Sequence, residues 1–238
     1  MTPKKWGQLV LIGMIGGGIP FLLFFKGLSL STAAGGQLIN KTMFIWVGLL
    51  AFMFLKEKFS KWQLFALAIL VIGNYFLATP KSWIFGQGEL LVLIATLFWS
   101  AETIITKIVL KNMPSILLAW GRMFFGSLIM LGYLAVTNKI SLYESLNLNQ
   151  MFWIILPSLL LFAYVWFWFS SLKYASATLV TSILVIASPI TTLLSSIFIT
   201  HKFQLNQIIA LILIAIGTIL IITLSKNKIE QRNLCTTG

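Results

Sequence analysis

Residues 205–224 read LNQIIALILIAIGTILIITL, twenty consecutive positions without a charge. At about 1.5 Å of rise per residue such a run spans about 30 Å as a helix, the thickness of a bilayer's hydrocarbon core. It is too long and too continuously apolar for the alternating strand of a membrane barrel, and a helix satisfies every backbone polar group within the segment. Eight predominantly apolar runs of about this length fill the chain, at 7–27, 31–55, 61–79, 88–107, 114–137, 151–172, 176–200 and 204–224. The expected fold is all-α, a polytopic membrane bundle of eight transmembrane helices. Lys4 and Lys5 followed by an apolar stretch and Ser31-Thr32-Ala33-Ala34 resemble a secretory signal, but the stretch is long for one and has an uncleavable internal counterpart.

Composition leads to the same solvent. Of 238 residues 59% are hydrophobic and 9% charged, whereas a soluble domain carries about a quarter of its residues charged. The partner implied by this composition is the lipid bilayer. The net charge of +12 does not point to nucleic acid, because the basic residues are scattered between apolar runs and no polar segment is long enough for a basic domain. Aspartate is absent and the single cysteine, Cys235, lies in the polar tail, so no metal site and no cofactor is expected. If the helices alternate, one side collects Lys4, Lys5, Lys56, Lys58, Lys61, Lys107, Lys111, Lys173, Lys226, Lys228 and Arg232, and the other only Lys26, Lys81, Lys139 and Lys202. The positive-inside rule then makes the first side, with both termini, cytoplasmic, in a multi-pass protein of the plasma (inner) membrane.

The 205–224 run has an earlier copy. Shifting residues 27–79 by 144 pairs Lys58 with Lys202, Phe59 with Phe203, Gln63 with Gln207, Gly73 with Gly217 and Thr79 with Thr223, without a gap. The offset spans an odd number of helices, so the copies are expected to cross the membrane in opposite senses, the inverted repeat common in secondary transporters. The units are residues 1–80, with three helices, and 86–226, with five, followed by a cytoplasmic tail at 227–238. Extending the register upstream sets Gly13 against Pro157. Helices 4 and 5 have no counterparts ahead of Met1, so a truncation or a self-complementing assembly such as a homodimer is expected.

The order of several short motifs carries a resemblance. Leu97-Phe98-Trp99-Ser100 through Lys107, Leu118-Ala119-Trp120-Gly121-Arg122, Ser171-Leu172-Lys173-Tyr174-Ala175-Ser176-Ala177, Ala187-Ser188-Pro189-Ile190 and Ile216-Gly217 resemble successive helices of one EamA repeat. Phe54-Leu55-Lys56-Glu57-Lys58-Phe59 and Ile72-Gly73 fit the end of another. The chain is thereby identified as similar to the EamA family of the drug/metabolite transporter superfamily, whose members carry five helices in each of two repeats; the first two are wanting here. Thr200-His201 stands where the family has Gly-Glu, and Asn40-Lys41-Thr42 lacks the proline that the second copy has at Pro189. The resemblance implies a transporter and no enzyme.

Charges at bilayer depth mark function, since each costs at least about 2.5–3.5 kcal/mol at the centre unless paired or wet. Lys41, about ten residues into its segment and so about 15 Å deep, offers a positive charge to an anionic substrate or snorkels. Glu102 and Arg122 enter from the same side to similar depth and form either a gate or a structural ion pair. Gln37 and Asn40 lie one turn apart, and Thr178 and Thr181 occupy the corresponding part of the seventh helix, Thr181 being the register partner of Gln37; these complete the expected substrate-binding set. Pro20 and Pro189 are expected helix breaks. With no phosphate loop, no GxSG element and one histidine, His201, at a helix end, pumping by ATP and catalysis are excluded. The expected function is a secondary carrier for a small polar metabolite, such as an amino acid or organic anion, by alternating access; the alternative is a channel-like pore or a non-transporting membrane protein that needs a partner chain.

Overall fold

The computed structural model describes residues 2–78, 85–140, 147–201 and 205–236. Thr79, Lys81, Lys202 and Phe203, which enter the repeat or the charge tally, lie outside the described residues. Eight helical stretches follow one another: α1 (Pro3–Leu30), α2 (Ala33–Lys41, then Met43–Leu55), α3 (Lys61–Ala78), α4 (Gln87–Val109), α5 (Ser115–Val136), α6 (Leu148–Tyr174), α7 (Ala177–Ile183, Leu184–Ile186, Ala187–Ser195 and Ser196–Thr200) and α8 (Leu205–Thr236). Among the described residues no strand occurs. Seven are long and apolar enough to cross a membrane, and α3 supplies a shorter apolar helix, Lys61–Leu77. The bundle is the polytopic membrane protein expected from long apolar runs.

Helix ends follow local chemistry. Thr32 opens α2 by accepting the amide of Gly35, and Ser176 opens α7 by accepting that of Leu179; each cap contributes about 1 kcal/mol. The Ser-Thr pair that imitated a signal-cleavage site is thus a helix start. Both helices break midway, α2 at Thr42 and α7 in the 3-10 turn Leu184–Ile186. Proline accounts for the second break, since Pro189 has no amide to donate to the carbonyl of Val185. In α2 there is no proline; Thr42 turns its hydroxyl onto the carbonyl of Ile39 at 2.6 Å and accepts the indole N–H of Trp46 at 3.0 Å, a local bond that competes with helix continuation. Both helices end on a left-handed residue, Lys56 (φ 55°) and His201 (φ 51°).

Two contacts organise the bundle. α3 and α8 pack antiparallel: a β-carbon added to Gly73 would lie 2.7 Å from Ile214, one added to Gly217 would lie 2.9 Å from Leu70, and Gln63 reaches Ser225. α1 packs against α5 backbone to backbone, through Gly13 and Gly17 on one side and Gly121 and Gly126 on the other, the small-residue packing that replaces hydrophobic drive between helices in lipid. The N-terminal half of α6, Met151 to Leu160, is exposed along its whole circumference and apolar, as suits a surface solvated by acyl chains.

Candidate functional site: a sealed ion pair and a basic-side cavity

α1 is not a uniform helix. Gly13–Gly18 forms a π-helical turn, the kind of irregularity frequent at functional sites. Pro20, two residues beyond the turn, cannot donate to the carbonyl of Gly16; that carbonyl instead accepts the indole N–H of Trp99 from α4 at 2.9 Å. Gly16 also leaves the hollow that Glu102 fills, because a β-carbon there would lie 2.1 Å from the Glu102 carboxyl carbon.

Into this hollow α5 delivers Arg122, whose Nε lies 2.7 Å from Glu102 Oε1 with both side chains almost wholly buried. The guanidinium sits between the rings of Phe21 and Trp168, at 5.8 and 5.7 Å from their centroids, where cation–π attraction adds to the pairing. The two charges cancel, which makes their presence in lipid tolerable. The contact is an ion pair without aligned hydrogen bonds: Glu102 Oε1 and Oε2, Arg122 Nε and Nη1, and Trp168 Nε1 have no hydrogen-bond partner among the described residues.

The other expected site residues lie elsewhere. Lys41 is half-buried at the α2 break, the last residue of the first α2 segment, and makes no hydrogen bond or ion pair among the described residues. Gln37 is exposed and Asn40 half-buried on that segment, which packs on α3 and α4. Thr178 and Thr181 are buried in the first segment of α7, which packs on the C-terminal half of α2. The two groups therefore pack mainly against different neighbours. Thr181 donates to the carbonyls of Ala177 and Thr178 within its own helix.

Thr178 belongs instead to a constellation at the basic ends of the helices. Its hydroxyl donates to Glu57 Oε2 at 2.9 Å, and the amide of Ala177 donates to Glu57 Oε1 at 2.9 Å. Glu57, in the turn between α2 and α3, thus caps the first turn of α7. From α4, Lys107 donates to the carbonyls of Leu172 (2.6 Å) and Ala175, closing the end of α6. Carboxylate at a helix start and ammonium at a helix end each suit the local dipole, and together they clamp the α6–α7 turn. Beside the clamp lies a cavity of about 1050 Å³, lined by Lys56, Glu57, Lys58, Lys107, Thr178 and Ser225 among others. Glu57 escaped sequence reading because its partners lie 120 and 121 positions away; only its place in the Lys-Glu-Lys turn signalled it. Glu57→Ala is expected to destabilise the fold by about 1–2 kcal/mol and to speed hydrogen exchange at Ala177 and Thr178; unchanged exchange there would refute the capping role.

Three comparisons bear on the whole. A family model described as the EamA-like transporter family matches residues 1–79 and 86–223. A protein of Clostridium kluyveri named an uncharacterized transporter is 20% identical over 246 residues, covering 100% of this chain and 79% of that protein. Another uncharacterized transporter, from Methanothermobacter thermautotrophicus, is 23% identical over 129 residues, 52% of this chain and 38% of that protein. A solved crystal structure shares the fold at a TM-score of 0.76 and 16% identity, covering 94% of this chain and 79% of that one.

Proposed function

Because the chain belongs to the EamA-like transporter family and is thus a membrane transporter, we propose that it is a secondary carrier, moving a small polar metabolite by alternating access between two inverted repeats, residues 1–80 and 86–226. The observation that carries this reading is the likeness of α2 and α7. At an offset of 144 residues their N-caps coincide, Thr32 with Ser176, and the break at Thr42 falls on the turn Leu184–Ile186; both end left-handed, the second one position late because the π-helical turn Ser196–Thr200 takes up an extra residue. The α3–α8 contact has the same symmetry, since Gly73 meets Ile214 as Gly217 meets Leu70, the reciprocal pattern of an isologous interface. Paired broken helices near the bilayer centre are where carriers of this build hold substrate.

In this reading Lys41, with Gln37 and Asn40 beside it, meets an anionic group such as the carboxylate of an amino acid or organic anion, Thr178 and Thr181 contribute from the second repeat, and Glu102–Arg122 is the gate. The breaks before Pro189 and Pro20 are the hinges. The protein lies in the plasma membrane with both termini cytoplasmic, so the cavity beside Glu57 opens inward, and a second copy is a natural partner. Flux of a metabolite panel through proteoliposomes tests the proposal: Lys41→Ala is expected to lower transport of the accepted anion at least about tenfold while leaving the folded yield unchanged. Flux of every accepted anion at the wild-type rate in Lys41→Ala would remove Lys41 from the site, and no flux for any member of the panel would overturn the carrier reading.

A further inference from the structure

The broken helices α2 and α7 meet at one end and part at the other. On the basic side the C-terminal segment of α2 packs on the first segment of α7. Val47 and Ala51 share a buried cluster there with Ala177 and Val180, and a β-carbon added to Gly48 would lie 3.7 Å from the methyl carbon of Thr178. On the other side the first segment of α2 packs mainly on α3 and α4, and the Ala187–Ser195 segment of α7 mainly on α8. Gln37, in that part of α2, is exposed, and its amide is better served by water in a parted cleft than by lipid. Glu57 joins the ends that meet. The left-handed Lys56 turns the chain so that the amide of Glu57 donates to the carbonyl of Ala51 at 3.1 Å. The Glu57 carboxylate, from the first repeat, then accepts both the amide of Ala177 and the hydroxyl of Thr178 from the second. Glu57, Ser176 and Thr178 line the cavity on this side, where such bonds exchange for bonds to water at modest net cost. The symmetric closure has no such carboxylate: the shift of 144 residues takes Glu57 to His201, which is exposed, and between α7 and α8 the sequence reads His201-Lys202-Phe203-Gln204. A neutral imidazole has one accepting nitrogen, whereas a carboxylate accepts on two oxygens.

We propose that the bonds from Glu57 to the start of α7 are a latch that closes the carrier on its cytoplasmic side, and that the unlike chemistry of the two ends makes this arrangement the resting state. Transport then requires the latch to break, so that the C-terminal segment of α2 and the first segment of α7 separate while their outer segments close. Glu57 positions the two helices and touches no cargo. The latch rests on the carrier reading and is the inner closure that alternating access needs; Glu102–Arg122 lies within the second repeat, whereas the latch joins one repeat to the other.

Thiol labelling of the full chain in membrane vesicles tests the latch. Cys235 is the only cysteine, so Cys235→Ser gives a background for two reporters. Ser182→Cys lies one turn deeper in α7 than Thr178 and is buried; Gln37→Cys is exposed on the other side. With an impermeant maleimide, Gln37→Cys is expected to react in right-side-out vesicles, and Ser182→Cys to be protected in both orientations. Glu57→Gln leaves one accepting oxygen and Thr178→Val removes one donor. Each is expected to speed labelling of Ser182→Cys in inside-out vesicles at least about tenfold and to slow labelling of Gln37→Cys. Loss of a mere helix cap would lower stability without moving the two labels in opposite directions. Unchanged labelling of both reporters in both variants, recovered folded, overturns the latch, and ready labelling of Ser182→Cys from the cytoplasmic side with Glu57 intact overturns the closed resting state. Latch-dependent labelling without flux of any metabolite in the panel overturns the carrier reading alone, and flux with labels indifferent to Glu57 and Thr178 overturns the latch alone.

Discussion

Arg122→Leu is expected to lower the stability of the bundle by about 3–5 kcal/mol, because it strands the carboxylate of Glu102 in a site with no exposure to solvent. The loss is expected in denaturation of the purified protein in mixed micelles and in its yield from membranes. Glu102→Leu is expected to do similar damage by stranding the guanidinium between Phe21 and Trp168. The double variant Glu102→Leu/Arg122→Leu separates the two roles open to the pair. Removing both charges ends the burial penalty, so most of the lost stability returns. If the pair only fastens α4 to α5, flux returns with it. If the pair is the gate, stability returns and flux does not. Recovery of both would dismiss the gate.

The helices were readable in the sequence because lipid imposes a simple rule: length without charge, with lysines at the ends. The segment at 31–55 became α2 and that at 176–200 became α7 within a few residues. Depth was also readable, which is why Glu102 and Arg122, entering from one side to similar depth, could be set opposite each other. Side-chain direction and pairing between distant segments were not. The α2 break depends on the Thr42 hydroxyl choosing Ile39 and on Trp46 finding Thr42, a choice that threonines make or decline according to their surroundings. Glu57 stands in a turn that reads as an ordinary charged loop until α7 arrives beside it. Gln37 and Thr181 share a register position, but the segment bearing Gln37 packs on α3 and α4 and the one bearing Thr181 on the C-terminal half of α2, neighbours that a shared register does not reveal. Glu89 accepts the hydroxyl of Ser31 and Lys107 closes the end of α6, pairings between distant segments that no local pattern marks.

Gly17→Val is expected to be more damaging than any cavity-forming change in the bundle. A β-carbon at Gly17 would lie 2.4 Å from the carbonyl oxygen of Arg122 and 2.8 Å from the α-carbon of Gly126, and one at Gly126 would lie 2.7 Å from the α-carbon of Gly17. The obstacles are backbone, so no rotamer change relieves them, and α1 and α5 must separate. Overpacking of a well-packed core costs about 1–3 kcal/mol when side chains can shift, and here that range is a lower bound. Separation would also draw Arg122 from Glu102, adding the penalty of a broken buried pair. Gly17→Val and Gly126→Val should therefore each abolish recovery of monodisperse protein, and pairing them should not restore it, since both add bulk at one contact. Gly132 lies on the same helix with nothing within 4 Å of its added β-carbon, so Gly132→Ala is expected to be neutral or to stabilise by up to about 1 kcal/mol through helix propensity. Wild-type stability in Gly17→Val would mean that α1 and α5 do not meet at their glycines, and the hollow that seats Glu102 would lose its cause.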